Sequence, residues 1–361
     1  MIHIGIDARL NDYRVGGIST YTRELIAALE KLDSAGRYTV FHSRKARAAL
    51  VTRFASAQLW TPCHHRIERL ALSLELARFR LDVLHSPDFI PPLGGAKRYV
   101  ITVHDLAFLL YPQFMTAESR RYYNAQIQRA VKQADHILAV SASTKNDLVT
   151  LLNVPPQKIT VQLEGVDAQF TPQPPEITAR VRQKYALPER YFVFVSTLEP
   201  RKNIQGLLQS YAQLRARRKD APPLLLVGKR GWLFDIAQIK AEGVLWREDV
   251  TYSDLPAVYS MAVALVMPSF YEGFGLPALE AMACGTVPVV SNRSSLPEVV
   301  GEVGLQIDPD DTVALTGALE HVLDDVTWYE NMRRAARARA RLFTWEHAAQ
   351  VAMHVYHTAL Q

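Results

Sequence analysis

The sequence predicts an α/β protein of two doubly wound domains, each a parallel sheet flanked by helices, with a cleft between them. Three observations carry this expectation. Strand-like apolar runs alternate with helical ones from the first residue. The alternation breaks once, at the proline-rich FTPQPPE of residues 170–176, and then restarts. The chain of 361 residues is also too long for one ordinary domain.

Taken in order, MIHIGID reads as a buried strand and ISTYTRELIAALEKL as the helix after it, with Ser19 or Thr20 as its expected N-cap. Short strands follow at YTVF and DVLHS, then a longer one at RYVITVHD. The basic segments HHRIER and SRRYYNAQIQRAVK read as helical. HILAVS is a strand, a helix starts after Ser143, and ITVQLEG is the last strand of the first domain, which is expected to span residues 1–170. The second domain, 171–343, is expected to place strands at YFVFVST, PLLLVG, GVLW, ALVMPS, VPVVSN and GLQID, with helices between them. RRAARARARLF reads as a late basic helix. TWEHAAQVAMHVYHTAL, within 344–361, has an apolar face that needs covering and is expected to pack back on the first domain. No internal repeat or low-complexity tract interrupts the pattern.

Composition narrows the class. With 48% apolar residues and near-neutral mean hydropathy, the chain reads as a globular protein. No apolar run reaches the roughly 18 residues of a membrane span, and the first strand does not resemble a signal segment, so a cytoplasmic protein is the expectation. Cys63 and Cys284 are the only cysteines; that excludes a disulfide framework or a cysteine metal cage, and both read as packing residues. A net charge of +5 suits nucleic acid, anionic membrane or an anionic small molecule without choosing among them.

Ligands of open α/β sheets bind beyond the carboxyl ends of strands, so residues after strands are the functional candidates. Four places stand out. After the first strand, Val15-Gly16-Gly17-Ile18 reads equally as a phosphate loop or a simple turn. After RYVITV come His104 and Asp105, where a structural histidine is the plainer reading. After YFVFVST comes LEPRKN, whose Arg201 and Lys202 suit a diphosphate or form a solvated pair. The fourth is FYEGFGLPALEAMACGTVPVV, joining a buried strand to a helix with Pro277 in its first turn. Gly273 and Gly275 let backbone approach a ligand, and the helix N-terminus offers free N–H groups. Glu272 and Glu280 then supply carboxylates for sugar hydroxyls, which together point to a nucleotide sugar. Asp308-Pro309-Asp310 fits a D-x-D metal pattern but reads as a turn.

The chain resembles a GT-B glycosyltransferase of family GT4. Glu272 and Glu280 match that family's E-x7-E spacing, PSFYEGFGLPALEAMACGTVPVVSN resembles its most recognisable segment, and STLEPRKN, Gly16-Gly17 and TVHD agree in order and position. The resemblance implies a retaining, metal-independent transfer, with the acceptor on the first domain and the nucleotide diphosphate on the second. It implies that Glu280 holds the ribose, Glu272 the transferred sugar's hydroxyls, and Arg201 and Lys202 the diphosphate. Amides near Phe274, Gly275 and Leu276 would face sugar or phosphate, Gly17 would approach the phosphates, and His104, with Asp105 orienting it, would contact the sugar. Ser196-Thr197-Leu198 stands where many relatives have G-R-L, so an arginine often used on the phosphate is missing.

The reading that follows is a mannosyltransferase using GDP-mannose, without other cofactor, on a glycan or polyprenyl-lipid-linked acceptor in surface polysaccharide synthesis. Basic residues Arg120, Arg121, Arg129 and Lys132 suggest peripheral contact with the inner face of the membrane. The rivals are a UDP-glucose or other UDP-sugar donor, an epimerase or phosphorylase of the same architecture, and a nucleic-acid-binding protein using the basic helices and Tyr122-Tyr123.

Overall fold

In the computed structural model, which describes every residue except 14, 15, 66, 234, 236–238 and 240, the chain divides into two units. The first comprises Met1–Leu106, Glu118–Gly165 and Thr344–Gln361; the second comprises Ala107–Ala117 and Val166–Phe343.

The first unit carries seven strands: β1 His3–Asp7, β2 Arg37–Ser43, β3 Ala55–Leu59, β4 Leu81–Ser86, β5 Ala96–Val103, β6 His136–Ala139 and β7 Ile159–Val161, in spatial order 3-2-1-4-5-6-7. The second carries β8 Tyr191–Val195, β9 Leu224–Val227, β10 Val244–Arg247, β11 Ala262–Met267, β12 Val287–Ser291 and β13 Leu305–Ile307, in order 10-9-8-11-12-13. Pairing is parallel within both sheets. The central strands β8, β9, β11 and β12 read as unbroken apolar runs because helices cover both of their faces. Each order reverses once, between β1 and β4 and between β8 and β11, which defines one topological switch point per unit.

Several expectations are corrected in detail. Strand β3, ASAQL, is an edge strand largely open to solvent, so it lacks the apolar run that announces its neighbours. The helix near HHRIER begins only at Glu68 and runs to Leu76. The first helix, Gly17–Leu32, is capped by extended Gly16 without a side-chain bond, so neither Ser19 nor Thr20 is its N-cap. In helix Val326–Ala340 the basic run is partly structural: Arg333 donates to the Gly285 carbonyl, and Arg339 to those of Val299 and Glu298. The segment Ala107–Ala117 falls in the second unit rather than the first. Tyr111 donates to the Phe270 carbonyl at 3.2 Å, Phe114 stacks on Phe270 at 5.5 Å between centroids, and Trp232 donates to the Phe114 carbonyl at 2.6 Å.

Helix Trp345–Thr358 lies against Gly17–Leu32 in the first unit, and a buried chain of hydrogen bonds joins it to the sheet. Gln162 Nε2 donates to the Ala348 carbonyl at 2.7 Å, and its Oε1 accepts from Tyr21 at 2.5 Å. With the Tyr21 proton so used, Thr102 must donate to Tyr21, at 2.9 Å. Thr102 therefore accepts from His85 Nε2 at 2.8 Å, leaving Nδ1 to accept from Tyr356 at 2.7 Å. With His85 neutral, each proton in the chain has one direction. Burial, with the neighbouring His104, holds this imidazole down to about 3.

A histidine of ordinary pKa 6.5 takes up a proton on unfolding once the pH falls below that value, so the neutral burial of His85 stabilises the fold above it. That contribution is lost by up to about 1.4 kcal/mol per pH unit as pH falls from 6.5 toward 3. His85→Gln, less stable at pH 7, should show a flatter dependence in urea unfolding between pH 7 and pH 4. Parallel slopes for the two proteins would place the acid sensitivity elsewhere.

Candidate functional site

At the second unit's switch point, two strand-end loops meet. The loop after β8 enters a short helical turn, Pro200–Lys202, which ends at Asn203 in the left-handed region. Asn203 then caps helix Ile204–Arg217 by accepting from the Gly206 amide. The loop after β11 carries Phe270, Tyr271 and Glu272, and the Phe270 amide donates to the Arg201 carbonyl at 2.9 Å. Neighbouring strands thus bring together residues 69 positions apart.

Glu272 is buried, and Lys202 donates to both its carboxylate oxygens, at 2.8 and 2.7 Å. Arg201 reaches the same carboxylate at 3.4 Å, donates to the Tyr271 carbonyl at 2.7 Å, and pairs with buried Glu199 at 2.8 Å. Two carboxylates and two cations therefore balance. Burial pushes the Glu272 carboxyl upward, but Lys202 and then Arg201 outweigh it and hold the group below its ordinary value of 4.5. An ammonium has three donors, and Glu272 takes two from Lys202. The backbone is fixed as firmly: the Glu272 amide donates to Ser294 Oγ at 2.9 Å, and Ser295 donates to the carbonyls of Glu272 and Phe274.

Gly275 starts helix Leu276–Ala283 at φ +112°, a left-handed conformation that side chains disfavour, and a Cβ there would lie 2.7 Å from Leu296 Cδ2. Pro277 occupies the first turn. Gly273 and Phe274 are buried and Leu276 is half-buried. One turn into the helix, buried Glu280 accepts from Tyr259 at 3.0 Å, and the Tyr259 carbonyl accepts from Thr286 at 2.6 Å. Both glutamates therefore belong to this unit's strand-end region.

Sequence reasoning missed the groups that support them. Tyr259 lies on helix Leu255–Met261, where it reads only as an apolar position. Tyr111 and Phe114 cover the Phe270-Tyr271 loop from a segment assigned to the other domain. In D-x-D, Arg293 Nη2 bonds both Asp308 and Asp310 at 2.6 Å, so this pair is engaged by a guanidinium.

The remaining candidates lie in the first unit. His104 Nε2 meets the Pro87 carbonyl at 3.0 Å, its Nδ1 is 3.3 Å from Glu164 in LEG of the ITVQLEG run, and its ring sits edge-on to Tyr21 at 4.9 Å. A carbonyl only accepts, so Nε2 carries a proton. Glu164, only 3% exposed, is the carboxylate beside His104 that the sequence reading passed over. Gly16 and Gly17 have open space where a Cβ would stand, so packing does not demand glycine at either position. Val15, also in that loop, lies outside the described residues.

Comparison with known proteins agrees with this layout. Residues 15–170 match the family Glycosyltransferase Family 4, and residues 178–339 match Glycosyl transferases group 1. The O-antigen chain mannosyltransferase B of Escherichia coli is 36% identical over 281 residues, covering 76% of this chain and 74% of that protein. The chain belongs to glycosyltransferase family 4. The serotype-specific mannosyltransferase WbdA of Escherichia coli is 29% identical over 284 residues, which cover 75% of this glycosyltransferase but 35% of the longer WbdA. The sucrose-phosphate synthase structure from Thermosynechococcus elongatus matches 99% of both chains with a TM-score of 0.79 at 21% identity, a likeness of fold. Each of the two Rossmann-like units is thus half of a GT-B architecture.

The Glu272 arrangement sets a stability test. With its folded pKa depressed, Glu272 stabilises above its ordinary value, and this contribution disappears as pH falls through the lower folded value. Lys202→Met, which leaves the carboxylate buried without its main partner, should cost about 3 kcal/mol at pH 7. The gap to wild type should narrow at pH 4, where the variant's carboxyl has already taken up its proton. Urea unfolding at both values checks this, and a variant as stable as wild type at pH 7 would refute it.

Proposed function

We propose that this glycosyltransferase moves mannose from GDP-mannose, with retention of configuration, to a glycan or lipid-linked acceptor in surface polysaccharide synthesis. The observation that carries the reading is the buried Glu272 clasped by Lys202 and Arg201 one strand end away, with Glu280 a turn further on. The mannosyltransferase relatives support the choice of sugar. Glu280, oriented by Tyr259, accepts from the ribose hydroxyls. Glu272 accepts from the hexose. Lys202, Arg201 and the amides before helix Leu276–Ala283 take the charge of the leaving diphosphate, a task that a metal ion performs in other transferases. Gly16 and Gly17 leave room for phosphate to approach their backbone. His104, steadied by Pro87 and Glu164, serves the transferred sugar. The acceptor oxygen bonds to the anomeric carbon on the face the diphosphate leaves, and its proton passes to a donor phosphate oxygen.

Peripheral membrane contact fits one face of the first unit. Helix Glu68–Leu76 and its flanks leave Ile67, Leu70, Leu74 and Leu93 largely exposed, a cluster of apolar side chains without an intramolecular core to cover it. Arg69 bonds Gln133 of helix Ala117–Gln133, which exposes Arg120, Arg121, Arg129 and Lys132. Apolar and basic groups side by side suit an anionic lipid surface. Among the described residues no helix is long and apolar enough to cross a membrane.

Calorimetric titration with GDP and GDP-mannose, in EDTA throughout, separates the glutamates. Glu280→Ala should weaken both ligands by about ten- to a hundredfold, the range for a lost charge-assisted bond. Glu272→Gln should weaken GDP-mannose to that degree while leaving GDP unchanged or tighter, because it releases Lys202 and Arg201 toward phosphate. Equal losses of both ligands at Glu272, binding only after magnesium or manganese is restored, or a preference for UDP-sugars in the same titration would count against the assignment.

Flotation tests the membrane face. Wild type should float with liposomes containing phosphatidylglycerol and not with neutral ones. Leu70→Ser with Leu74→Ser, or neutralisation of the four basic residues, should reduce that fraction several-fold. Flotation indifferent to lipid charge and to both sets of substitutions would remove this role.

A further inference from the structure

A recess in the first unit lies at the amino ends of its strands, the side of the sheet opposite to Gly16, Gly17 and His104, which follow strand carboxyl ends. It measures about 350 Å³, is open to solvent, and is lined among others by His3 of β1, Arg37 and Tyr38 of β2, Ala57 of β3, and Arg78 and Phe79 of the short helical turn Ala77–Phe79. Strands β1, β2 and β3 pair in parallel, so their starts stand side by side. The five residues of β1 separate them from the carboxyl ends by roughly 15 Å. The volume falls in the lower part of the range for small-molecule sites, which admits a sugar-sized ligand and is small for a nucleotide sugar.

Two guanidiniums edge this recess, and among the described residues neither Arg37 nor Arg78 has a carboxylate partner. The acids nearby are engaged elsewhere. Asp33 accepts from the Gly36 amide and the Tyr38 hydroxyl, both at 2.9 Å, and Asp82 accepts from Lys97 at 2.7 Å and from the His3 amide at 2.8 Å. Arg78 lies over the Phe79 ring, 4.9 Å from its centroid, which orients its planar fork before any ligand arrives. His3, only 6% exposed, sets Nε2 2.9 Å from Thr39 Oγ1, while Nδ1, beside the Phe79 backbone, makes no hydrogen bond of normal geometry. Burial, and then Arg37, hold this imidazole below its ordinary 6.5. The positive charge of the recess is therefore that of the two arginines, which repel each other until an anion joins them.

We propose that this recess is a second anion site, remote from the transfer reaction, and that it takes a phosphate monoester between Arg37 and Arg78. A monoester carries close to two negative charges and three acceptor oxygens, enough for both guanidinium forks, whereas a carboxylate brings one charge and two oxygens. Phe79 and Ala57, both half-buried, offer an apolar wall to the carbon skeleton that bears the phosphate. An uncharged sugar leaves the two like charges unmet. The same phosphate chemistry comes on a free sugar phosphate or on a phosphatidic acid headgroup, and Leu74, exposed one turn before Arg78, makes the second source concrete.

Calorimetry of the full chain with mannose 6-phosphate, in saturating GDP so that the nucleotide site is blocked, reads the soluble source. Wild type should bind it, mannose should bind at least about tenfold more weakly, and Arg37→Ala or Arg78→Ala should each weaken it by about ten- to a hundredfold, the range for a lost charge-assisted bond. Both arginines are exposed, so the variants should keep the wild-type circular dichroism. Flotation with phosphatidylcholine vesicles containing phosphatidic acid, compared with phosphatidylglycerol as a diester control, reads the lipid source. A preference for the monoester lipid that both variants lose, without mannose 6-phosphate binding, assigns the site to a headgroup. Three results overturn the proposal: neither ligand bound in preference to its control, binding of mannose 6-phosphate abolished by GDP, or binding and flotation unchanged in both variants. None of these depends on which nucleotide sugar is the donor.

Discussion

The second unit is organised around one electrostatic constraint: a carboxylate buried at Glu272 must be met by cations from a different strand. Taking a carboxylate out of water costs several kcal/mol unless charge and hydrogen bonds replace the solvent. Lys202 and Arg201 do so, and they can do so only because β8 and β11 are neighbours whose carboxyl ends lie side by side. The left-handed turn at Asn203, the clasp of Ser294 and Ser295 on the Glu272 loop, and the Gly275 start of the next helix all serve that meeting. Such a cluster is a poor way to gain stability. Its effect is to hold four charged side chains in one fixed arrangement at the strand ends.

The same topological rule acts in both units. At the β8/β11 switch point the strand ends carry two cations, paired with Glu199 and Glu272, beside a helix N-terminus. At the β1/β4 switch point the strand ends carry Asp7 and Ser86 beside Arg9, whose guanidinium bonds Asp7, Glu68 and the Thr61 carbonyl.

Much of this was legible in the sequence, for reasons that also explain what was not. Parallel strands buried on both faces are written as continuous apolar runs, so VFV, LLLV and ALVM declared themselves. Glu272, Gly275, Pro277 and Glu280 lie within nine residues of one another, and their spacing alone carries the motif. Strand β3 stayed hidden because an edge strand need not be apolar. The support groups were hidden for another reason: Tyr259, Glu164 and Arg293 act through contacts across 21, 60 and at least 15 positions, distances at which local pattern carries no information. The segment Ala107–Ala117 shows the same limit at domain scale, since aromatic rings near Phe270 decide its unit, and chain order does not.

Polar burial is handled differently in the core of the first unit, and the difference bears on His104. The chain Tyr356, His85, Thr102, Tyr21, Gln162 and Ala348 contains only neutral groups, each passing one proton in one direction. Burial, with His104 nearby, keeps His85 neutral, so its Nδ1 accepts from Tyr356. Tyr21 is the junction: its hydroxyl closes the neutral chain, and its ring braces His104, whose other contacts are Glu164 and Pro87. The helix Trp345–Thr358 contributes to this chain through Tyr356, so a helix far in sequence from His85 helps to hold that imidazole neutral.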